Sequence, residues 1–140
     1  PQSRETPARD APLPMACLLR DHATASLHRA DLDAETLART FGISRATVYR
    51  HFAEEGGVAR YVRNMRLDRC FYELAGTPPK RGQIAAVSRR WHFHDATNFN
   101  RLFRERFDMS PSACLGSGAA TPRRPACDQT GIVRAWLNQL

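Results

Sequence analysis

Apolar residues recur at spacings of three and four along most of the chain, the period of helices packed along one face. The pattern is clearest from His92 to Pro111. There Phe99, Leu102, Phe103 and Phe107 form one stripe, while Asn100, Arg101, Arg104 and Arg106 fall largely off it. Asp95 predicts the start at Ala96, because its carboxylate can accept from the otherwise unpaired backbone N–H of Thr97 or Asn98. The helix should stop near Asp108. Ser110 and Pro111 then read as the cap and first position of a further short helix, since proline lacks the N–H that would go unpaired there.

Upstream, Leu18, Leu19, His22, Ala23 and Leu27 predict an amphipathic helix from Met15 to about His28. Asp33 should cap Ala34 to Thr40, Gly42 should make a tight turn, and Ser44 should cap a helix from Arg45 to Phe52. The longest helical pattern runs from Val58 to Ala75, with apolar positions at Val58, Val62, Met65, Cys70, Phe71 and Leu74 and a stop at Gly76-Thr77-Pro78-Pro79. Ile84 to Trp91 completes the set before Asp95. Residues 1–14 hold four prolines and read as a linker, as does 116–129. Residues 130–140 place Ile132, Val133, Trp136, Leu137 and Leu140 on one face and predict a C-terminal helix.

Two of these segments repeat one another. Ala38-x-x-Phe41-Gly42-Ile43-Ser44-x-x-x-Val48-Tyr49-Arg50-x-Phe52 lies over Ser88-x-x-Trp91-His92-Phe93-His94-x-x-x-x-Phe99-Asn100-Arg101-x-Phe103, with the offset growing from 50 to 51 residues across the turn. Each copy is a helix, a tight turn and a second helix. The predicted fold is therefore all-α. A first helix-turn-helix subdomain, 15–76, includes a long linker helix at 58–75, and a second occupies 77–115. Trp91, Phe93, Phe99 and Phe103 are expected to close one core, and Phe41, Val48 and Phe52 the other.

Exposed positions at the start of each second helix suggest chemistry. Arg45, Ala46, Tyr49 and Arg50 in the first copy, and Ala96, Thr97, Asn98, Asn100 and Arg101 in the second, suit a helix in a DNA major groove. Amides there pair with adenine edges and arginine with guanine O6 and N7. Ser44, Thr47, Arg89, Arg90 and Arg104 are the candidate phosphate partners.

Charge sharpens that picture through its location. The 140-residue chain carries a formal +7, and residues 80–106 alone hold seven basic against two acidic side chains. Twenty of the 21 basic residues are arginine, whose forked donors can clamp phosphate or guanine, although a GC-rich genome biases composition the same way. At 42% apolar residues the chain reads as a soluble globular protein with modest cores, and no apolar run reaches membrane-spanning length. Cys17, Cys70, Cys114 and Cys127 form no C-x-x-C pair and read as free thiols of a reducing cytosol. His92, His94 and Cys114 make a poor metal set, since two histidines flanking a buried phenylalanine at a turn are more often cap or solvent residues. No nucleophile-base pairing, phosphate loop or paired carboxylates stand out, so neither an enzyme nor a cofactor is expected. The sequence begins at Pro1 rather than Met, which reads as a processed product or an excised piece.

Taken together, Phe41-Gly42-Ile43-Ser44, the arginine and phenylalanine around Arg50 and Phe52, Met65-Arg66-Leu67, and Phe99-x-Arg101-x-Phe103-x-x-x-Phe107-x-x-Ser110-Pro111 resemble the DNA-binding domain of AraC/XylS-type transcription regulators, over about Asp31 to Leu115. The resemblance implies that Arg45–Phe52 and Ala96–Phe107 enter successive major grooves of duplex DNA. It also implies an upstream ligand-sensing or dimerising domain, a place in the cytoplasm at the nucleoid, and RNA polymerase as a candidate second partner. The sequence departs from the family at three points: His92 and Asp108 stand where the family has glycine, and the connection Ala53 to Arg60 is short. A nucleic-acid-binding module without sequence preference is the main rival reading, separable by competition with unrelated duplex.

Overall fold

The computed structural model describes residues 14–119, so the expectations for the N-terminal linker, most of the second linker and the C-terminal helix lie outside the described residues. Seven α-helices follow one another: α1 Met15–Ala25, α2 Ala34–Phe41, α3 Arg45–His51, α4 Val58–Gly76, α5 Gln83–Arg90, α6 Ala96–Phe107 and α7 Pro111–Cys114. No strand occurs among the described residues, and the fold is all-α as expected.

Four of the seven helix starts follow from side-chain caps. Asp33, Ser44, Asp95 and Ser110 each accept a backbone N–H three residues on, from Thr36, Thr47, Asn98 and Ala113. The main departure is at α1. It ends at Ala25 rather than His28, because Leu27 turns into the core and the next carbonyls are bonded by side chains from elsewhere in the chain. Smaller shifts put Phe52 just after α3 as a fully buried residue and Trp91 just after α5. Between α3 and α4 the short connection is a 3-10 turn, Ala53–Glu55, followed by Gly56 and Gly57 at φ 80° and 105°. Gly57 at ψ 167° adopts a conformation essentially closed to residues with a Cβ, which lets so short a segment reverse into α4.

Two cores form, and α4 serves both. Val58, Tyr61 and Val62, in its first turns, pack with Leu19, Leu27, Leu37, Val48 and Phe52. Leu67, Cys70, Phe71, Leu74 and Ala75, farther along, pack with Val87, Phe99, Leu102, Phe103 and Cys114. The second core is rich in rings: Phe103 lies 4.7 Å from Phe107, 5.7 Å from Phe99 and 6.0 Å from Phe71, centroid to centroid. Phe41, Trp91 and Phe93, expected as core residues, are only partly buried. Trp91 packs against both cores, and its indole Nε1 donates to Glu73 of α4 at 3.0 Å.

Charged groups tie helices together at the rim of each core. Arg20 of α1 pairs with Glu55, donates to the His51 carbonyl at 2.7 Å, and lies 4.9 Å from the centre of the Phe52 ring. Arg106 of α6 makes a forked pair with Asp68 of α4, Nε to Oδ1 at 2.7 Å and Nη2 to Oδ2 at 2.9 Å. The sequence pattern placed Arg106 off the apolar stripe, and the structure spends its charge on α4 instead of leaving it free.

Candidate nucleic-acid interface

Each helix-turn-helix is built the same way. In the first, Gly42 ends α2 in the left-handed region at φ 63°, and the chain turns through Ile43 to the Ser44 cap of α3. In the second, Trp91 and His92 follow α5, and the chain turns through Phe93 to the Asp95 cap of α6. His92 takes φ 68°, the same backbone state as Gly42, despite its side chain. Asp108 takes φ 56° after α6, a state that short polar residues reach more readily than others.

Val48 on α3 and Phe99 and Phe103 on α6 seat the second helices in their cores, which turns the remaining faces outward. All nine candidate base-reading residues, Arg45, Ala46, Tyr49, Arg50, Ala96, Thr97, Asn98, Asn100 and Arg101, are exposed. Tyr49 is a large ring left 53% accessible, which core packing does not explain. Both arginines are held by their own helices. Arg50 donates to Thr47 Oγ1 at 3.2 Å, while Arg101 donates to Asn98 Oδ1 at 2.7 Å and pairs with Glu105 at 3.0 Å. These contacts hold each guanidinium beside its own helix, and exposed pairs of this kind cost little to exchange for another partner.

The candidate phosphate partners divide. Arg89 and Arg104 are exposed, as is Ser44, whose hydroxyl caps α3 and contacts Thr47 Oγ1 at 2.8 Å. Arg90 is also exposed but pairs with Glu73 of α4, a carboxylate that is itself three-quarters covered. Lys80, Arg81 and Gln83, to which the sequence reading gave no role, line an open groove of about 490 Å³ together with Arg89, Ala96 and Asn100. The available signal was the basic pair Lys80-Arg81 just before the Gly82 cap; the charge count included it, but only the fold brings it beside α6.

Other titratable groups serve structure. Hydrogen bonds from the Thr36 hydroxyl, then from its backbone N–H, hold the Asp33 carboxyl below its ordinary range. Burial pushes the Cys70 thiol up and out of the reactive range. Cys114 is buried with its Sγ 3.6 Å from the Phe71 carbonyl oxygen, and the His92 and His94 rings are 6.4 Å apart. Among the described residues no group of three His, Cys, Asp or Glu side chains is placed to hold a metal ion. No helix among them is long and apolar enough to cross a membrane.

Two helix-turn-helix units on a shared helix, each with a polar and basic outer face, define a helix-turn-helix nucleic-acid-binding protein. Residues 37–116 match the model of a helix-turn-helix domain of the AraC type, and the chain belongs to that family. It is 34% identical over 87 residues to the transcriptional activator NphR of Rhodococcus sp, a match covering 61% of this chain and 25% of that protein. The chain thus spans about a quarter of that relative's length. No solved structure matches it.

Proposed function

We propose that this chain is the sequence-specific DNA-binding part of a cytoplasmic transcription regulator, with α3 and α6 lying in successive major grooves of an asymmetric site. The observation that carries the proposal is the pair of unlike, exposed helix faces held by one helix that belongs to both cores. Arg45, Ala46, Tyr49 and Arg50 read bases in one groove, and Ala96, Thr97, Asn98, Asn100 and Arg101 in the other. Ser44, Thr47, Arg89 and Arg104 grip phosphates, with Lys80 and Arg81 added at the edge of the α5–α6 groove. Arg90 is the weakest member of the phosphate set because Glu73 already holds it. The likeness to a much longer transcriptional activator supports a place within a larger regulator, which we propose is ligand-responsive and acts on RNA polymerase.

One chain carries both heads, so a monomer suffices. The 19 residues of α4 span about 28 Å at 1.5 Å per residue, short of the roughly 34 Å between equivalent grooves. Straight duplex then does not satisfy both heads at once, so either the DNA bends, at a cost of a few kcal/mol that phosphate contacts of the basic second unit offset, or one head seats loosely. Selection from random duplex, followed by footprinting and mass determination of the complex, tests this. One chain protecting about 20 base pairs without a dyad is expected. A two-to-one complex on a palindrome would overturn the tandem arrangement, and equal competition by unrelated duplex would reduce the protein to a non-specific binder.

A further inference from the structure

The junction between the two units is fastened on one short loop. Residues 27–31 belong to the first unit: Leu27 is buried in its core, Arg29 makes a forked pair with Asp31, and Thr36 Oγ1 donates to the Asp31 carbonyl at 2.5 Å. Three successive carbonyls of this loop accept from side chains outside it. Arg66 of α4 donates through Nε to Leu27 O at 3.0 Å and through Nη2 to Arg29 O at 2.6 Å. Between them His28 O, which can only accept, lies 2.7 Å from His92 Nε2, so that ring nitrogen carries the proton. His92 sits in the turn of the second unit. Its bond joins residues 64 apart in sequence and links the two helix-turn-helix units directly.

The backbone makes this contact informative. The first unit's turn uses Gly42 at φ 63°, a conformation glycine enters freely. The equivalent turn of the second unit holds the same conformation at φ 68° with histidine, which a side chain disfavours. No local requirement of the turn calls for an imidazole there, since glycine meets it better. What the imidazole adds is the bond to His28.

We propose that His92 is a positioning residue that fixes the second recognition helix relative to the first, and that it thereby sets which separation of the two half-sites the protein accepts. This rests on the two-headed reading above. His92 touches no base in that reading; it acts through the geometry of α3 against α6. Losing the bond frees the second unit to pivot on α4 and Trp91, so half-sites one base pair nearer or farther bind with a smaller penalty.

The test is His92→Gly, a change that suits the turn's backbone and removes the tether along with the ring's edge contact to His94; His92→Asn, which tolerates the same conformation but has a shorter side chain, serves as its companion. Binding is measured to duplexes whose two half-sites are moved apart or together by one base pair. A net hydrogen bond corresponds to roughly a twofold to tenfold factor in an equilibrium. The native chain should discriminate against shifted spacing, and both variants should lose about that factor of discrimination while affinity for each isolated half-site stays unchanged. Unaltered spacing preference in both variants would overturn the proposal. A readout without DNA keeps the two readings apart: residual dipolar couplings of backbone amides should fit one alignment tensor for α1–α3 and α5–α6 in the native chain and require reduced couplings for α5–α6 in His92→Gly. Identical tensors in the variant would refute the positioning role even if DNA binding failed altogether, whereas absent binding by the native chain would refute the DNA-binding reading alone.

Discussion

Phe103 is the most demanding single test of the second core. Its side chain is completely buried, and its ring meets Phe71, Phe99 and Phe107 from α4 and α6 within 6.0 Å. Replacing it with alanine removes the transfer free energy of a phenyl ring and leaves a cavity that rigid neighbours fill poorly, together about 3 to 5 kcal/mol. The geometry of aromatic pairs adds to area burial, so the upper half of that range is expected. A domain of this size is stable by about 5 to 15 kcal/mol, so the loss is a third or more of the total for much of that range. Each kcal/mol shifts the midpoint by roughly 4 to 8 °C in a chain of about a hundred residues, so a fall of at least about 12 °C should appear in calorimetry. Tyr72→Ala supplies the control: its ring is 70% exposed, and its loss should change stability by no more than about 0.5 kcal/mol. If Phe103→Ala melts within a few degrees of the parent, α6 is not packed on α4 through this ring.

Base reading and phosphate gripping should separate by mutation. Arg50→Ala or Arg101→Ala should cost about 1 to 3 kcal/mol and relax one position of the selected site, whereas Arg89→Ala or Arg104→Ala should weaken all sequences evenly and reduce the salt slope by about one; unchanged specificity in both of the first pair would refute their role. The depressed carboxyl of Asp33 contributes stability that is present above its unfolded pKa and lost as pH falls through its lower folded value. Denaturant midpoints should therefore decline on acidification below the ordinary carboxylate range, and Asp33→Ala should show a shallower decline; parallel curves would refute the assignment. Cys70, fully buried with its thiol pushed up, should resist iodoacetamide in the folded protein and react on unfolding, as located by peptide mass spectrometry. Labelling at native rates equal to those in denaturant would contradict its burial.

Local signals carried most of the architecture. Asp33, Ser44, Asp95 and Ser110 mark helix starts because a cap needs only the residue and the backbone a few positions on. The stripe Phe99, Leu102 and Phe103 identified its buried face for the same reason. Long-range pairings were not legible. Arg106 and Arg90 count as positive charges in the sequence, and only the approach of α4 shows that Asp68 and Glu73 answer them. The early end of α1 has the same origin, since the groups that bond residues 27–29 lie 37 to 64 positions away. His92 was visible as a residue unsuited to its turn, but its partner was not.

The internal repeat suggests two pieces that duplication could have made and recombination could exchange. The helix that joins them forbids the exchange. Val58, Tyr61 and Val62 are the wall of one core, and Leu67, Cys70, Phe71 and Leu74 are the wall of the other, on a single unbroken α4. A cut anywhere near Gly76 to Pro79 leaves the first fragment with a greasy half-helix in water and the second without a floor. Whatever its ancestry, the pair stands as one unit: the exposed face of either head can be changed without touching a core, but neither head can be exchanged without rebuilding the helix that both stand on.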